Sequence, residues 1–230
     1  MKQKIQILCI DCPFSFSDQL TQSSVARGAD ANYPTLTIEE LKKLPIADIT
    51  DPNGSILALW VPAALLQDGL DLMKTWQFDY KQLWSWIKIK QHPLEDLYQT
   101  IKECKQPQEI KAAFDNFDFN AKETSICSFG MGRLARNCSE IVLIGIRGKV
   151  YDFLEDRSQR NIFFQVNLKH SQKPEVLQDK LEAMFPKFAA GMEKSMMEIF
   201  ARRKRNGWRC VGNEISGLDV REELATIIAE

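Results

Sequence analysis

The chain has 230 residues, and its 30 basic and 31 acidic side chains give a net charge of -1. Overall charge therefore provides no general attraction to a polyanion, and any such affinity has to come from local clusters. The six cysteines show no extracellular spacing, and there is no signal peptide or long apolar span. These features exclude a disulfide-stabilised secreted module and a membrane protein, so we expect a cytoplasmic location. The length suits one α/β domain over residues 1–230.

The first predicted element is a buried strand over residues 5–10, which ends in Asp11-Cys12-Pro13-Phe14. In α/β enzymes the carboxyl ends of such strands carry the chemistry. Asp11 and the Cys12 carbonyl can each accept one N–H of the exocyclic amine of a nucleobase, while Phe14 stacks on its ring. The same residues also fit a strand end with a capping acid and a turn proline, and the motif alone leaves that alternative open.

The elements after this strand follow from hydrophobic periodicity. The polar stretch 15–37 has the length of a functional lid, and Thr37 with Glu40 forms the capping box of a short helix. Further strands are predicted over 55–61, 82–89, 141–146 and 196–200, and helices over 63–76, 174–185 and 219–228. Because a helix joins the strands 55–61 and 82–89, these two strands are predicted to pair in parallel. The polar segment at about 92–125 is predicted to be a helical insertion.

Two clusters of basic residues and one cysteine pair are further candidate sites. The first cluster contains Arg133, Arg136, Arg147 and Lys149, and the second contains Arg202, Arg203, Lys204, Arg205 and Arg209. A solvated surface is the ordinary explanation of such clusters, and nucleic acid is the better one only beside a catalytic site. Cys9 and Cys12 have redox spacing, but Cys9 lies inside a strand pattern, so a redox role is not favoured. No metal site is predicted, because His92 and His170 lack cysteine partners at zinc-finger spacing.

Many short motifs, in the same order along the chain, resemble the MT-A70 family of adenine-N6 methyltransferases. In the first half they are residues 11–14, 32–36, 57–61, 76–78 and 86–88. In the second half they are residues 130–132, 136–137, 139–140, 143–145, 170–175, 198–202, 207–208 and 212–214. The resemblance covers nearly the whole chain except about residues 92–125. Ordered matches of this number are more specific than any one motif.

The resemblance implies a fold, a cofactor and a set of site residues. The fold is α/β, a Rossmann-like methyltransferase fold with a mostly parallel central sheet flanked by helices. The methyl donor is S-adenosyl-L-methionine, and the catalytic motif is Asp11, Cys12, Pro13 and Phe14. The implied donor ligands are Asp11, Lys173 at the carboxylate, and Arg202, Asn213 and Glu214 around the ribose and adenine. Glu198, at a strand end, can accept hydrogen bonds from the ribose hydroxyls or orient Arg202 as an ion pair, and a surface pair of Glu198 with Arg202 is the structural alternative. The implied substrate contacts are Phe14, Tyr33, Arg133 and Arg136.

Two departures from the family pattern bear on activity. Cys12 replaces a proline but keeps the carbonyl, and Arg133 stands where many relatives carry an aromatic residue. The chain resembles the bacterial and phage branch most, which implies a bacterial or phage-infected host cell and DNA as partner, with the target adenine flipped out or single-stranded. The alternatives are a non-catalytic partner subunit and an RNA adenine-N6 methyltransferase. A homodimer, or a heterodimer with a family partner, is compatible with the sequence.

Overall fold

The computed structural model describes residues 4–15, 35–117, 126–130, 134–166 and 172–229. The strands are β1 Ile7–Asp11, β2 Gly54–Val61, β3 Asp79–Ile89, β4 Ser139–Gly148, β5 Ile162–Val166, β6 Met196–Ile199 and β7 Arg209–Val211. The helices are α1 Ile38–Lys42, α2 Ile46–Ile49, α3 Leu66–Thr75, α4 Glu95–Glu103, α5 Pro107–Asp115, α6 Val176–Met184, α7 Pro186–Ala189, α8 Asn213–Ser216 and α9 Val220–Ala229. Within the described residues these strands form one seven-stranded sheet in the order β5-β3-β4-β2-β1-β6-β7. This is the predicted α/β class.

The chain folds as two compact units. The first contains Met1–Trp84, Ile141–Asn161 and Leu177–Glu230, and the second contains Ser85–Glu140 and Ile162–Val176. The grouping of residues 1–230 into a single domain stays a prediction. Among the described residues, no helix combines the length and the apolar character that crossing a membrane requires.

In the first unit, β1 lies between two parallel neighbours, β2 and β6, and β7 extends the sheet in parallel beyond β6. Ile10 stands opposite Ile199, and Ile199 stands opposite Val211, so β1, β6 and β7 end at the same edge. Both faces of β2 are buried, as expected for a parallel strand covered by helices. The residues that follow these three strands are therefore brought together.

The helices of the first unit cover an apolar core. Thr37 and Glu40 form the predicted capping box, with the Glu40 N–H donating to the Thr37 hydroxyl at 3.3 Å and the Thr37 N–H to the Glu40 carboxylate at 2.9 Å. Capping leaves Leu41 on the inner side of α1, where its carbonyl accepts a hydrogen bond from the buried Trp76 indole at 3.2 Å. Trp60 and Trp84 are also buried.

The predicted pairing of β2 with β3 is wrong, because β4 lies between these two strands. β4 pairs in antiparallel fashion with the whole length of β2, from Gly54 opposite Gly148 to Val61 opposite Ile141. The apolar strand β4 occupies the position beside β2, and the connection through α3 crosses over β4 to reach β3. The strand–helix–strand pattern indicated the order of the elements, but it did not indicate this inserted neighbour.

The second unit contains the end of β3, which pairs in parallel with β5 from Ser85 opposite Ile162 to Ile89 opposite Val166. The Trp86 indole is buried and donates to the Gln165 carbonyl at 3.1 Å. Helices α4 and α5 pack on each other within the segment that the sequence predicted to be helical. Residues 118–125 of that segment lie outside the described part of the chain.

Candidate active site

A pocket opens in the first unit at the carboxyl edge of β1, β6 and β7. Its lining residues are Asp11, Pro13, Leu36, Phe200, Arg202, Asn213, Glu214, Asp219 and Val220. Asp11, Arg202, Asn213 and Glu214 were all predicted from sequence, although more than 200 residues separate the first from the last. Because parallel strands that share an edge also share their exits, three separate segments meet at this pocket.

The first of these segments is a tight turn after Asp11, the half-buried last residue of β1. The Phe14 N–H donates to the Cys12 carbonyl at 2.9 Å, and the Leu36 N–H donates to the Pro13 carbonyl at 2.8 Å. These bonds fix the turn and place Pro13 and Leu36 in the pocket wall. A carbonyl oxygen has two lone pairs, so that of Cys12 can accept a second hydrogen bond.

The ring of Phe14, which was predicted to stack on the target base, is buried. Its side chain is only 4% exposed and belongs to the same apolar core as Leu41 and Trp76. Burying an aromatic ring of this size is strongly favourable. A backbone β-bridge also pairs Phe14 with Leu36. The other two predicted substrate contacts on loops, Tyr33 and Arg133, lie outside the described residues.

The second segment follows β6 and the third follows β7, and these two segments are in close contact. Phe200 has φ 62°, a left-handed conformation that is rare for a residue with a side chain. The next residue, Ala201, donates its N–H to the Val211 carbonyl at 2.9 Å. A Cβ on Gly212 would lie 2.5 Å from the Ala201 carbonyl oxygen, so only glycine fits there. This approach brings the Arg202 Nε to 3.6 Å from a Glu214 carboxylate oxygen.

Asp219 is a pocket residue that the sequence reasoning missed. It precedes α9, and its carboxylate accepts a hydrogen bond from the Arg221 backbone N–H at 2.8 Å and two from the Arg221 guanidinium at 2.8 and 2.7 Å. These bonds lower the pKa of Asp219 to about 2, so the pocket carries this negative charge at neutral pH. This acid is the first residue of the last predicted helix, so the signal in the sequence indicated a helix start and not a site.

Glu198 lies on β6, next to the pocket but not among its lining residues. Burial raises the pKa of the Glu198 carboxyl, and the nearby charge of Asp11 raises it further, although a hydrogen bond from Gln178 at 3.2 Å opposes the shift. Gln178 is 4% exposed, and its side-chain oxygen has no hydrogen-bond partner. The Arg202 Nε lies 3.6 Å from a Glu214 carboxylate oxygen, and the alternative in which Glu198 orients Arg202 stays a prediction.

Lys173 lies in the second unit, in an ionic cluster that it forms with Lys88 and Glu140. One Glu140 oxygen is 3.0 Å from the Lys173 ammonium, and the other is 2.5 Å from the Lys88 ammonium. Lys88 also lies over the Trp86 ring, 5.2 Å from its centroid. Burial raises the pKa of Glu140, but the two ammonium groups outweigh burial and leave it below its ordinary value. Glu140 therefore holds both lysines in place.

Part of each basic cluster is used in internal contacts. The Arg205 side chain is 12% exposed and pairs with Asp179 at 2.6 Å and with Glu182 at 2.8 Å. Arg147 donates to the Ala47 carbonyl and to the Gln77 side chain, both at 2.7 Å. These two guanidinium groups hold the fold together, so neither is a good candidate for a phosphate contact.

The Cys12 thiol is not a nucleophile in this site. Burial raises the pKa of Cys12 well above its ordinary value, and the neighbouring Asp11 carboxylate raises it further. Burial also raises the pKa of Cys9. Both groups are thiols at neutral pH, whereas nucleophilic and redox chemistry uses the thiolate. What Cys12 offers to a substrate is therefore its backbone carbonyl.

A change at Cys12 tests this assignment. For the DNA methylation that the family resemblance implies, we expect Cys12→Ala to keep a rate close to that of the wild type, because alanine keeps the carbonyl and removes only the thiol. The rate is measured as tritium transferred from labelled S-adenosylmethionine. Thermal unfolding of the same sample controls for the small cavity left in the core. A folded variant that has lost its activity would contradict a purely backbone role.

Comparisons with known proteins show the family to which the chain belongs. The MT-A70 family model matches residues 6–112 and 116–214. The match includes all of α4 and most of α5, so the segment that the sequence reasoning set apart is largely inside it. A protein named Type II methyltransferase M.MunI, from Mycoplasma sp, is 24% identical over 229 residues, which cover 93% of this chain and 79% of that protein. The chain therefore belongs to the MT-A70 family of adenine-N6 methyltransferases, as its ordered motifs predicted.

Proposed function

We propose that the protein transfers the methyl group of S-adenosylmethionine to N6 of adenine in DNA. The observation that carries this proposal is the meeting of Asp11, Arg202, Asn213 and Glu214 in one pocket at the ends of β1, β6 and β7. The chain is a member of the MT-A70 family, and a relative that is matched over 79% of its length is named as a methyltransferase. MT-A70 enzymes generally use S-adenosylmethionine, and the choice of DNA follows from the resemblance to the bacterial and phage branch.

The chemistry of the pocket fits the donor. Glu214, Asp219 and the Asn213 amide supply acceptors for ribose hydroxyls and for an ammonium group. Leu36, Phe200 and Val220 supply an apolar wall for an adenine ring. We assign Lys173 to the donor carboxylate, since a compact ammonium suits that group. When bound, S-adenosylmethionine supplies an electrophilic methyl group.

The residues of the 11–14 motif act on the target amine. Its lone pair is delocalised into the adenine ring, which makes it a poor nucleophile. The Asp11 carboxylate and the Cys12 carbonyl each accept one N–H, which favours the pyramidal and more basic form of the nitrogen. Both contacts strengthen as positive charge grows on that nitrogen, so they stabilise the transition state more than the ground state. No covalent intermediate with the protein is needed.

The target base has to leave the duplex before the motif can reach it. In B-DNA the N6 group lies within a base pair, and extrusion takes a few kcal/mol that a single strand does not require. Phe14 is buried, so it can stack on the extruded base only if the turn opens. Tyr33 is the remaining candidate for stacking among the residues that the family resemblance indicated.

Methyl transfer to oligonucleotides tests the proposal. We expect tritium from labelled S-adenosylmethionine to appear in N6-methyladenine after digestion of a DNA oligonucleotide with mixed sequence. An oligonucleotide in which every adenine already carries the N6 methyl group is the matched control, and a matched RNA tests the RNA alternative. Sequencing of DNA from expressing cells then gives the methylated context. Label on cytosine, or on no base despite a folded sample, would contradict the proposal.

The rival function is that of a non-catalytic partner subunit. Donor binding distinguishes it from the proposed catalytic function. Calorimetric titration with S-adenosylhomocysteine should show saturable binding to the catalytic protein. A folded sample that binds nucleic acid but neither S-adenosylhomocysteine nor S-adenosylmethionine would favour the rival. The meeting of four of the six predicted donor ligands, Asp11, Arg202, Asn213 and Glu214, in one pocket argues against it, because a subunit without catalysis has no need of them.

A further inference from the structure

A paired ribbon in the second unit presents an aromatic ring and a guanidinium group together. The ribbon consists of residues 126–130 and 134–140, and Gly130 and Asn137 join its two segments. The Gly130 N–H donates to the Asn137 carbonyl at 2.8 Å, and the Asn137 N–H donates back at 3.3 Å. Its base is tied to β3: the Ser128 N–H donates to the Lys88 carbonyl, and the Lys88 N–H donates to the Cys138 carbonyl, both at 2.8 Å. The ribbon is therefore held by main-chain bonds.

The ribbon exposes large apolar side chains, which a loop that is only solvated does not need. Phe129 is 62% exposed although the Arg136 guanidinium lies over its ring, 5.6 Å from the centroid. Leu134 is fully exposed. Between Ile126 and Ser139 the sequence contains two arginines and no acidic residue, and Glu140, which ends the ribbon, is paired with Lys88 and Lys173. An exposed ring with a guanidinium beside it is the arrangement that binds unstacked bases next to their phosphates.

We propose that Phe129 and Arg136 form a stacking site for an unpaired nucleotide of the DNA substrate. The base lies against the aromatic ring, and the Arg136 guanidinium faces the phosphate. The site rests on the proposed function only in taking DNA as the ligand. Phe129 supplies an exposed ring for stacking, whereas the ring of Phe14 is buried. Stacking of this kind accepts any base, so the site adds affinity for an opened strand without setting the recognition sequence.

Binding of a labelled single-stranded oligonucleotide, measured by fluorescence anisotropy without donor, tests the site. We expect Phe129→Ala to raise the Kd roughly tenfold, and Phe129→Trp to keep it near the wild-type value. Arg136→Ala should lower the slope of log Kd against log salt concentration by about 0.7, as loss of one phosphate contact on a single strand does. The matched control is Phe114→Ala on α5, which removes a phenylalanine of similar exposure, 52%, in the same unit. Its Kd should be unchanged.

An oligonucleotide with abasic positions separates stacking from a structural effect. Wild type and Phe129→Ala should bind this probe alike, because no base is present to stack. Equal losses on both probes, or a loss in Phe114→Ala as large as in Phe129→Ala, would overturn the proposal. An unchanged salt slope in Arg136→Ala would also overturn the proposal, because it would indicate an apolar surface that binds a protein instead. These readouts need no methyl transfer, so a wild type that binds DNA at this site but methylates none would contradict the proposed function alone.

Discussion

Asp11→Ala is expected to lower the turnover number for DNA methylation by at least ~10²-fold, the loss that follows removal of one preorganised polar contact to a charge that develops in the transition state. Asp11 ends β1 and lines the pocket, and the turn after it presents the Cys12 carbonyl as the second acceptor. Alanine leaves only that carbonyl to hold the amine. Asp11→Asn should also be slow, because an amide presents a donor as well as an acceptor.

Turnover of Asp11→Ala is measured with tritiated donor at saturating DNA. Asp79→Ala is the control, since its carboxylate is 84% exposed at the start of β3. S-adenosylhomocysteine affinity is measured in parallel, because Asp11 is also assigned to the donor. A fall in affinity with normal turnover at saturation would make Asp11 a donor ligand only. Near wild-type turnover and affinity together would remove Asp11 from the site.

Glu140→Gln is expected to lower the free energy of unfolding by about 3 kcal/mol, toward the lower end for breaking a buried ion pair. The Lys88, Glu140 and Lys173 side chains are only 17, 29 and 18% exposed, so the two ammonium groups would share a shielded space without a counterion. Lys173 would also lose the group that positions it. S-adenosylhomocysteine affinity should therefore fall roughly tenfold, the scale of one charge-assisted hydrogen bond.

The effect of Glu140→Gln depends on pH in a defined direction. The pKa of Glu140 in the folded protein lies below its ordinary value, so this carboxylate stabilises the fold above pH about 4.3, the value in an unfolded chain. The stabilisation is lost as pH falls through the lower, folded value. Urea unfolding should show the full difference between wild type and variant at pH 7 and a shrinking difference below about pH 4.

Glu39→Gln is the matched control for Glu140→Gln, because Glu39 pairs with Lys42 at 2.7 Å but is 73% exposed. Exposed pairs contribute little, so its unfolding should stay close to that of the wild type at every pH. If the difference between Glu140→Gln and wild type were the same at pH 7 and pH 3, the ionic cluster would not be its cause. Tighter donor binding in the variant would mean that Glu140 competes with the donor carboxylate for Lys173.

Local signals predicted the elements that are long or capped. β2 and β4 are continuous apolar runs, and the capping box of Thr37 and Glu40 marks the start of α1. β7 has only three residues, and β5 lacks a clear period, so neither was predicted. Both strands are defined by their long-range partners, β6 and β3, which no local window contains. The antiparallel position of β4 likewise depends on a long-range partner, β2.

The pocket could be predicted only where motifs kept their order. Asp11, Arg202, Asn213 and Glu214 carry family motifs, and the sheet edge brings them together. Leu36 and Val220 carry no motif; tertiary packing alone places them in the wall. Phe14 was misplaced because its motif indicates a function and not the side on which its ring packs. Charge counts likewise did not reveal that Asp179 and Glu182 neutralise Arg205.

The backbone at Phe200 limits how this pocket wall can evolve. Its φ of 62° is a strained value for a residue with a side chain, by about 1–3 kcal/mol. Glycine would adopt that value without strain, but it would delete the ring from the wall and make the chain more flexible. Valine or isoleucine would keep an apolar surface but fit this backbone worst. In a randomised library selected for methylation, aromatic residues should therefore dominate at position 200, and variants selected for stability alone should not share that preference.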